Sequence, residues 1–248
     1  MTQPIPIKDS FRIHAYLAKC GVASRRKSEE FVEEGRVFVD GTEAVIGQSV
    51  TGKENVTLDG KSIQLERFEY YALNKPRGVL STTVRERNTK CVLDFLPRNV
   101  RLFPVGRLDK DAEGLMILTN DGLWANILSH PRYEVEKEYR VIIERPLASI
   151  PDVVIVEGKK VKVKAQKISD TEWLITVHEG MKHIVKNIIS VLGSHVRSLR
   201  RERIGTLVLG NLRQGLWRMH TNREIASFTI QKEQKRAQPR SQPLQKSN

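Results

Sequence analysis

The chain has 248 residues and a mass of 28.3 kDa, and because 39% of its residues are hydrophobic it can bury the core of one large or two modest domains. Its 42 lysines and arginines against 29 acidic residues give a formal net charge of +13, which favours a polyanionic partner, although a merely basic soluble surface gives the same balance. Without an apolar stretch of membrane-spanning length or a signal-peptide core, and with only the distant Cys20 and Cys91, we expect a globular cytoplasmic protein without redox or metal chemistry.

The first predicted elements are two helices followed by two hairpins. Apolar residues at helical spacing over residues 12–19 predict the first helix, and Ser24 offers an N-cap to the second. The pairs Asp40-Gly41 and Asp59-Gly60 each follow a short apolar strand and are strong signals for type I′ hairpin turns. Together these elements predict a small α/β module over residues 11–66.

Arg25, Arg26 and Lys27 open the second helix, where exposed amides and the positive helix end attract phosphate, although a solvated helix start has the same composition. The segments around them resemble the alpha-L RNA-binding module, first named from a small-subunit ribosomal protein. The matching positions are Arg12, Leu17-Ala18, 21–26, Glu29-Glu30 and 35–41. The resemblance implies that the two helices present basic residues, including Arg12, to structured RNA.

A second domain is predicted over residues 67–228. Its candidate strands lie at 68–73, 115–119, 135–143 and 173–177, and its candidate helices at 122–129 and 183–192. Because strands and helices are mixed without regular βαβ alternation, the fold class is α+β, with a mixed, largely antiparallel sheet and flanking helices. Residues 1–10 are predicted to be flexible, and residues 229–248, which are basic and nearly free of apolar side chains, to form a disordered tail.

Three carboxylates, Asp109, Asp111 and Glu113, lie between the apolar segment 103–105 and the apolar run after Gly114. A loop at the edge of a core is a common place for a catalytic acid, because burial beside a cation can tune a carboxylate as a nucleophile or base. Acids before a strand also serve simply to cap or solvate it. Charge and spacing alone do not select one of the three.

The loop as a whole resembles the signature loop of the RsuA/RluB family of ribosomal RNA pseudouridine synthases. The matching segments are Gly106-Arg107-Leu108-Asp109, Glu113-Gly114-Leu115 and 118–122. The resemblance implies that Asp109 is the catalytic carboxylate of an isomerase that breaks the C1′–N1 bond of uridine, turns the detached uracil and rejoins it through C5, without a cofactor or metal. Such chemistry needs a carboxylate in a dry pocket and a target base that has left its stack.

Two further segments resemble motifs of the same family. Tyr139 lies on an alternating strand, where it could be purely a core residue, but the resemblance implies that its ring stacks on the target base. The segment 183–188 reads His-Ile-Val-Lys-Asn-Ile where the family has Arg-Gln-(Val/Ile)-Arg-Arg-Met. An ordinary surface helix gives this pattern too, but the resemblance places Lys186 where an arginine pairs with the catalytic aspartate, with the charge kept and the bidentate fork lost.

Basic residues in the second domain are candidate RNA contacts. By resemblance Arg107 fills the space that the flipped base vacates, although it could instead form a salt bridge with a neighbouring acid. Lys75 belongs to a Lys-Pro pair that matches an early family motif, and a turn-forming role for the proline explains the pair equally well. Residues 179–218 hold eight lysines and arginines against two acids, which predicts a phosphate track that is densest at Arg197, Arg200, Arg201 and Arg203. His183 is a further candidate RNA contact.

These features predict a pseudouridine synthase that acts on ribosomal RNA as a monomer, away from membranes. The segments 103–105, 129–133 and 136–139 resemble the large-subunit enzymes most closely, so large-subunit rRNA or an assembly intermediate is the expected substrate. A small-subunit enzyme is the alternative within the family. A non-catalytic RNA-binding ribosome-assembly factor is the alternative outside it, because segment 183–188 departs from the family motif.

Overall fold

The structure is a computed structural model that describes residues 10–84, 89–97 and 100–228. The predicted flexible start, apart from Ser10, and the predicted basic tail at 229–248 lie outside the described residues. Within the described part, no helix is long and apolar enough to cross a membrane.

The first of two compact units ends at Phe68 and also includes Val100 and Arg101. Its elements are two helices and six short strands: β1 (Phe11–Arg12), α1 (Ile13–Lys19), α2 (Arg25–Glu33), β2 (Val37–Val39), β3 (Thr42–Glu43), β4 (Ser49–Val50), β5 (Val56–Leu58) and β6 (Lys61–Ser62). An antiparallel sheet has the strand order β3-β2-β5-β6, and β1 pairs with β4. The division between the units lies two residues beyond the predicted boundary at residue 66.

The turn and cap residues of this unit act as the sequence predicts. Ser24 caps α2, and its side chain accepts a hydrogen bond from the backbone amide of Lys27 at 3.3 Å. Asp40 and Asp59 adopt left-handed backbone angles, φ 50° and 51°, and each precedes a glycine that also has positive φ. These are the two-residue turns that connect β2 to β3 and β5 to β6. The helices and hairpins predicted for this unit are confirmed.

The second unit begins at Glu69 and contains the remaining elements. They are β7 (Tyr70–Lys75), β8 (Phe103–Val105), β9 (Glu113–Thr119), α3 (Gly122–Ser129), β10 (Lys137–Ile143), β11 (Val153–Val156), β12 (Lys159–Lys162), β13 (Lys164–Lys167), β14 (Glu172–Val177), α4 (Ile184–Val191), β15 (Val196–Ile204), β16 (Leu207–Val208) and β17 (Trp217–Met219). Short 3-10 helices span Val92–Phe95 and Pro131–Tyr133, and residues 222–228 are helical.

One sheet of nine strands organises the second unit. Seven strands follow the order β13-β14-β10-β15-β9-β7-β17, while β8 pairs with β9 and β16 with β15. All pairs are antiparallel except β15 with β9, which are parallel. The predicted α+β class and the mixed, largely antiparallel sheet are confirmed. The parallel pair lies at the centre of the sheet, beside the loop that carries Asp109.

Candidate active site

Asp109 lies in the loop between β8 and β9, residues 106–112, called the Asp109 loop below. Backbone contacts fix the chain on both sides of it. The hydroxyl of Ser81 donates to the carbonyl oxygen of Leu108 at 2.6 Å and accepts from the amide of Leu108 at 3.1 Å. The amide of Ala112 donates to the carbonyl oxygen of Asp109 at 3.1 Å. The carboxylate is therefore carried on a loop whose backbone is held by hydrogen bonds on both sides of Asp109.

Gly114 lets β9 and β15 approach closely where the Asp109 loop ends. Its φ is 102°, and a Cβ atom there would lie 2.4 Å from the carbonyl oxygen of Arg201. A side chain at this position would force the two strands apart, so only glycine fits. The close parallel pair sets the Asp109 loop against the strand that carries Arg201.

A cleft of about 300 Å³ opens beside Asp109. It is lined by the Asp109 loop, β10, β15 and the segment that leads into α4. Its charged and aromatic residues include Arg107, Asp109, Lys137, Tyr139, His183 and Arg201. The side chain of Asp109 is 24% exposed, so it is half-buried and open to the cleft. The described residues hold no group of three or more His, Cys, Asp and Glu that could bind a metal ion.

Two basic side chains from the start of α4 face the two carboxylate oxygens of Asp109. The Nε2 atom of His183 lies 3.2 Å from Oδ1, and the Nζ atom of Lys186 lies 3.2 Å from Oδ2. The two residues are three positions apart, which puts both side chains on one face of the helix. Lys186 therefore lies where the resemblance placed the counter-ion of Asp109. His183, predicted as an RNA contact, faces the carboxylate.

Lys186 is shared between Asp109 and Asp111. Its Nζ atom lies 2.7 and 2.9 Å from the two carboxylate oxygens of Asp111, closer than to Asp109. Partial burial lowers the pKa of Lys186, but the hydrogen bonds to Asp111 and Asp109 outweigh that effect and raise its pKa overall. The hydrogen bond from Lys186 lowers the pKa of Asp111. The lysine is therefore a charged bridge between the two acids.

Tyr139 is positioned for either of the two roles that the sequence left open. Together with Val141 and Ile143 it lies on the buried face of β10, and 7% of its surface is exposed. The same residue lines the cleft beside Asp109. It therefore belongs to the core and to the wall of the cleft, where an aromatic ring can pack against a base.

Lys137 also lines the cleft, and no role was predicted for it from the sequence. Burial lowers its pKa to about 8, with a further contribution from the positive charge of Arg201. Its Nζ atom donates to the carbonyl oxygen of Val135 at 3.1 Å. The sequence could have indicated this position, because residues two apart in a strand point to the same face, and Lys137 and Tyr139 are two apart on β10.

Lys75 and Arg201, which the sequence predicts to contact RNA, are both buried in the protein. Lys75 has no exposed surface, and its Nζ atom donates to the carbonyl oxygens of Ala112 at 2.6 Å and Pro76 at 3.0 Å. Burial lowers the pKa of Lys75 to about 8.

Arg201 is 2% exposed, and its guanidinium donates to the carbonyl oxygens of Leu115 at 2.8 Å and Arg107 at 3.4 Å. Like the buried lysine, it satisfies carbonyl groups in and beside the Asp109 loop rather than reaching a surface phosphate.

The other predicted RNA contacts differ in how freely their charges face solvent. Among them are five exposed arginines: Arg12, Arg25, Arg26, Arg107 and Arg197. Arg12 donates to the carbonyl oxygen of Gly47. Among the described residues, no ion pair joins Arg107 to Asp109 or Asp111. The salt-bridge alternative for Arg107 is therefore not seen.

Lys27 and Arg200 are less free to bind a phosphate. The Nζ atom of Lys27 lies 2.6 Å from a carboxylate oxygen of Glu30, and this hydrogen bond raises its pKa. Arg200 is half-buried, with its Nε atom 3.6 Å from a carboxylate oxygen of Glu202. The exposed arginines are therefore the better candidates for phosphate contacts within each unit.

Comparisons with known proteins agree on one family. Residues 69–200 match the family described as RNA pseudouridylate synthase. The chain is 36% identical over 233 residues to the ribosomal large subunit pseudouridine synthase B of Bacillus subtilis, covering 86% of this chain and 93% of the relative. It is 34% identical over 228 residues to the dual-specificity RNA pseudouridine synthase RluF of Escherichia coli strain K12, covering 87% and 77%. A crystal structure of a pseudouridylate synthase superposes with a TM-score of 0.64 at 26% identity and covers 88% of this chain and 99% of that chain.

Proposed function

The chain belongs to the RNA pseudouridine synthase family, and from this premise we propose that it isomerises a specific uridine of ribosomal RNA, with Asp109 as the catalytic carboxylate. The observation that carries the assignment of Asp109 is its position. It is half-buried in the cleft, and each of its carboxylate oxygens faces one basic group of α4. No other acid of the Asp109 loop combines these features.

The cleft supports a reaction in which a base is detached and then rejoined. Asp109 can attack or deprotonate the ribose as an anion held by Lys186, while Tyr139 provides an aromatic wall. The volume of about 300 Å³ is at the lower end for small-molecule sites, which suits one flipped nucleotide rather than a duplex. A half-closed pocket of this kind keeps a free uracil in place until C5 meets the ribose.

Large-subunit rRNA is the proposed substrate. The relative from Bacillus subtilis that aligns over most of both chains carries the name of a large-subunit enzyme. The segments 103–105, 129–133 and 136–139 point in the same direction by their resemblance. The small-subunit RNA is the alternative, and the experiment below separates the two.

We propose that the first unit binds structured RNA as an alpha-L module. Its support is the capped start of α2, where Arg25 and Arg26 are exposed beside the amides of the first turn. We further propose that the protein works as a cytoplasmic monomer, which size-exclusion chromatography with light scattering on the full chain would test.

The test of the substrate is to map pseudouridine in both ribosomal RNAs from cells that lack the protein. The proposal predicts that one large-subunit position loses its pseudouridine and that expression of the wild-type chain restores it. Loss of a small-subunit position instead would replace the proposed substrate. An unchanged pattern in both RNAs would favour the non-catalytic assembly factor.

A further inference from the structure

His183 is placed against Asp109 by an unusual backbone conformation at the start of α4. It occupies the N-cap position with φ 56° and ψ 24°, in the left-handed region that non-glycine residues rarely adopt. Such a conformation is strained and persists where the surroundings impose it. Here it accompanies an imidazole whose Nε2 atom lies 3.2 Å from Oδ1 of Asp109.

Lys186 alone does not fix the orientation of the carboxylate. Its ammonium is a point charge near Oδ2 of Asp109, and its two shorter contacts, 2.7 and 2.9 Å, go to Asp111. A guanidinium could span both oxygens of one carboxylate, but a lysine cannot. With Lys186 as the sole partner, the plane of the Asp109 carboxylate would be free to rotate about its terminal torsion.

We propose that His183 is a positioning residue, which donates a hydrogen bond from Nε2 to Oδ1 of Asp109 while Lys186 holds Oδ2. The two side chains together then do what a single guanidinium fork does, with one donor for each carboxylate oxygen. The role requires the imidazole proton on Nε2, which either the neutral Nε2 tautomer or the cation supplies. This inference rests on the proposed function, in which the oriented Asp109 carries the chemistry.

The charged groups around this pair do not offer His183 a better partner. Asp111, also on the Asp109 loop, is already bound twice by Lys186. Glu179 and Lys182 lie in the segment before α4 and also line the cleft. Among the described residues, Asp109 is the acid within ion-pair distance of the His183 ring.

The experiment compares two substitutions of His183 that place a side-chain amide nitrogen at different distances from the backbone. In His183→Gln the terminal nitrogen is as many bonds from Cβ as Nε2 of histidine, so it can still donate to Asp109. In His183→Asn the amide ends one bond earlier and does not reach, while asparagine tolerates the left-handed backbone. The exposed His195, which lies outside the cleft, provides the control His195→Gln.

Single-turnover rates with saturating enzyme and rRNA dissociation constants are measured for each full-length variant, with thermal unfolding as a check of folding. We expect His183→Asn to slow turnover about 10- to 100-fold, the size of one lost hydrogen bond to a charged group, with an RNA dissociation constant within about 2-fold of wild type. His183→Gln should recover most of the rate. The His195→Gln control should match wild type.

Two results would overturn the inference. If His183→Asn weakened RNA binding and left the saturated rate unchanged, His183 would be an RNA contact. If the asparagine and glutamine variants were equally slow, donation to Oδ1 would not be its role.

A spectroscopic measurement separates this inference from the proposed function. In the ¹⁵N-labelled full chain, Asp109→Ala should move the imidazole nitrogen resonances of His183 and leave those of His195 in place. An unmoved His183 spectrum would refute the contact even if the enzyme were active. A wild-type chain that forms no pseudouridine would refute the proposed function, while the spectrum would still decide the pairing.

Discussion

Asp109 and Asp111 lie two residues apart on one loop, yet their surroundings separate their roles. Asp109 is 24% exposed and lines the cleft, whereas Asp111 is 62% exposed and takes the two shortest contacts of Lys186. Charge and spacing could not distinguish these acids in the sequence, because both properties are the same for both residues. The difference arises from tertiary contacts with α4, and only the resemblance to a known loop had indicated which acid matters.

Substitution of Asp111 tests this separation. In Asp111→Asn the carboxylate that competes for Lys186 loses its charge, so the lysine is free to pair with Asp109 alone. We expect turnover within about 10-fold of wild type, since removal of a mostly exposed ion pair costs about 1 kcal/mol or less. Steady-state and single-turnover rates on the same RNA are the measurement. A complete loss of activity would mean that Asp111 takes part in the chemistry.

At the scale of secondary-structure elements, helices α1–α4 and the strands with clear periodicity were predictable, whereas several strands of the second unit, among them β15, were not. Residues with clear periodicity or turn signals, such as α3 and the Asp40 and Asp59 hairpins, lie where the sequence predicts. β15 carries four arginines in nine residues, so its sequence resembles an exposed basic stripe. It forms a central strand because Arg201 satisfies carbonyl groups inside the protein, a contact that has no signature in local sequence.

The buried arginine of β15 should act on stability rather than on RNA affinity. Arg201→Met keeps the apolar stem but leaves the carbonyl oxygens of Leu115 and Arg107 without their donor. We expect the free energy of unfolding to fall by about 2 kcal/mol, as for other hydrogen bonds from charged groups. Chemical denaturation of the full chain provides the measurement.

The exposed Arg197 on the same strand is the matched control. Arg197→Gln should leave the free energy of unfolding within about 0.5 kcal/mol of wild type and weaken RNA binding at low salt. The account of β15 is contradicted if Arg201→Met unfolds at the wild-type denaturant concentration and binds RNA less tightly than Arg197→Gln.

At the scale of the whole molecule, a buried histidine makes the second unit sensitive to acid. The side chain of His220 is fully buried near Trp124, with ring centroids 6.0 Å apart, and burial lowers its pKa to about 4. The unfolded chain has the ordinary histidine value of about 6.5 and therefore binds the proton more tightly. Above pH 6.5, His220 is neutral in both states and costs the folded protein no stability. The free energy of unfolding then decreases as the pH falls from 6.5 towards 4.

This decrease in the free energy of unfolding should reach roughly 3 kcal/mol. It should be absent when a residue that does not titrate in this pH range replaces His220. The measurement is the free energy of unfolding between pH 7.5 and 4.5 for wild type and His220→Gln. We expect a shallower decline in the variant. Glu224, whose pKa the hydrogen bond from Arg218 lowers to about 2, should add a separate loss only below about pH 4.5. Equal slopes in the two proteins would contradict the assignment to His220.

RNA affinity is also a property of the whole molecule, because the resemblance to the alpha-L module implies that the first unit contributes part of it. Replacing Arg25 and Arg26 by glutamine removes two exposed charges at the start of α2 and leaves the Ser24 cap intact. We expect weaker binding and a salt dependence smaller by about one to two phosphate contacts, with an unchanged saturated rate. Replacing Lys27, already paired with Glu30, should do less. A lower saturated rate with unchanged affinity would contradict this assignment.

The two-unit organisation and the sheet class of the molecule could be predicted from the sequence, whereas the surroundings of Asp109 and its loop could be predicted only in part. Tyr139 and Lys186 were identified through their motifs. The buried positions of Lys75 and Arg201 were not, because basic residues are usually exposed and only the packed structure supplies enough carbonyl groups to satisfy them.

The central claim is that Asp109 carries the chemistry, and hydrogen release from uridine C5 measures it most directly. When the base rejoins the ribose through C5, the hydrogen at that carbon is lost to water, so RNA tritiated at C5 of uridine reports each turnover. We predict that Asp109→Asn binds this RNA like wild type and releases no tritium, whereas the matched Asp111→Asn variant does release it. Tritium release by Asp109→Asn at the wild-type rate would contradict the account.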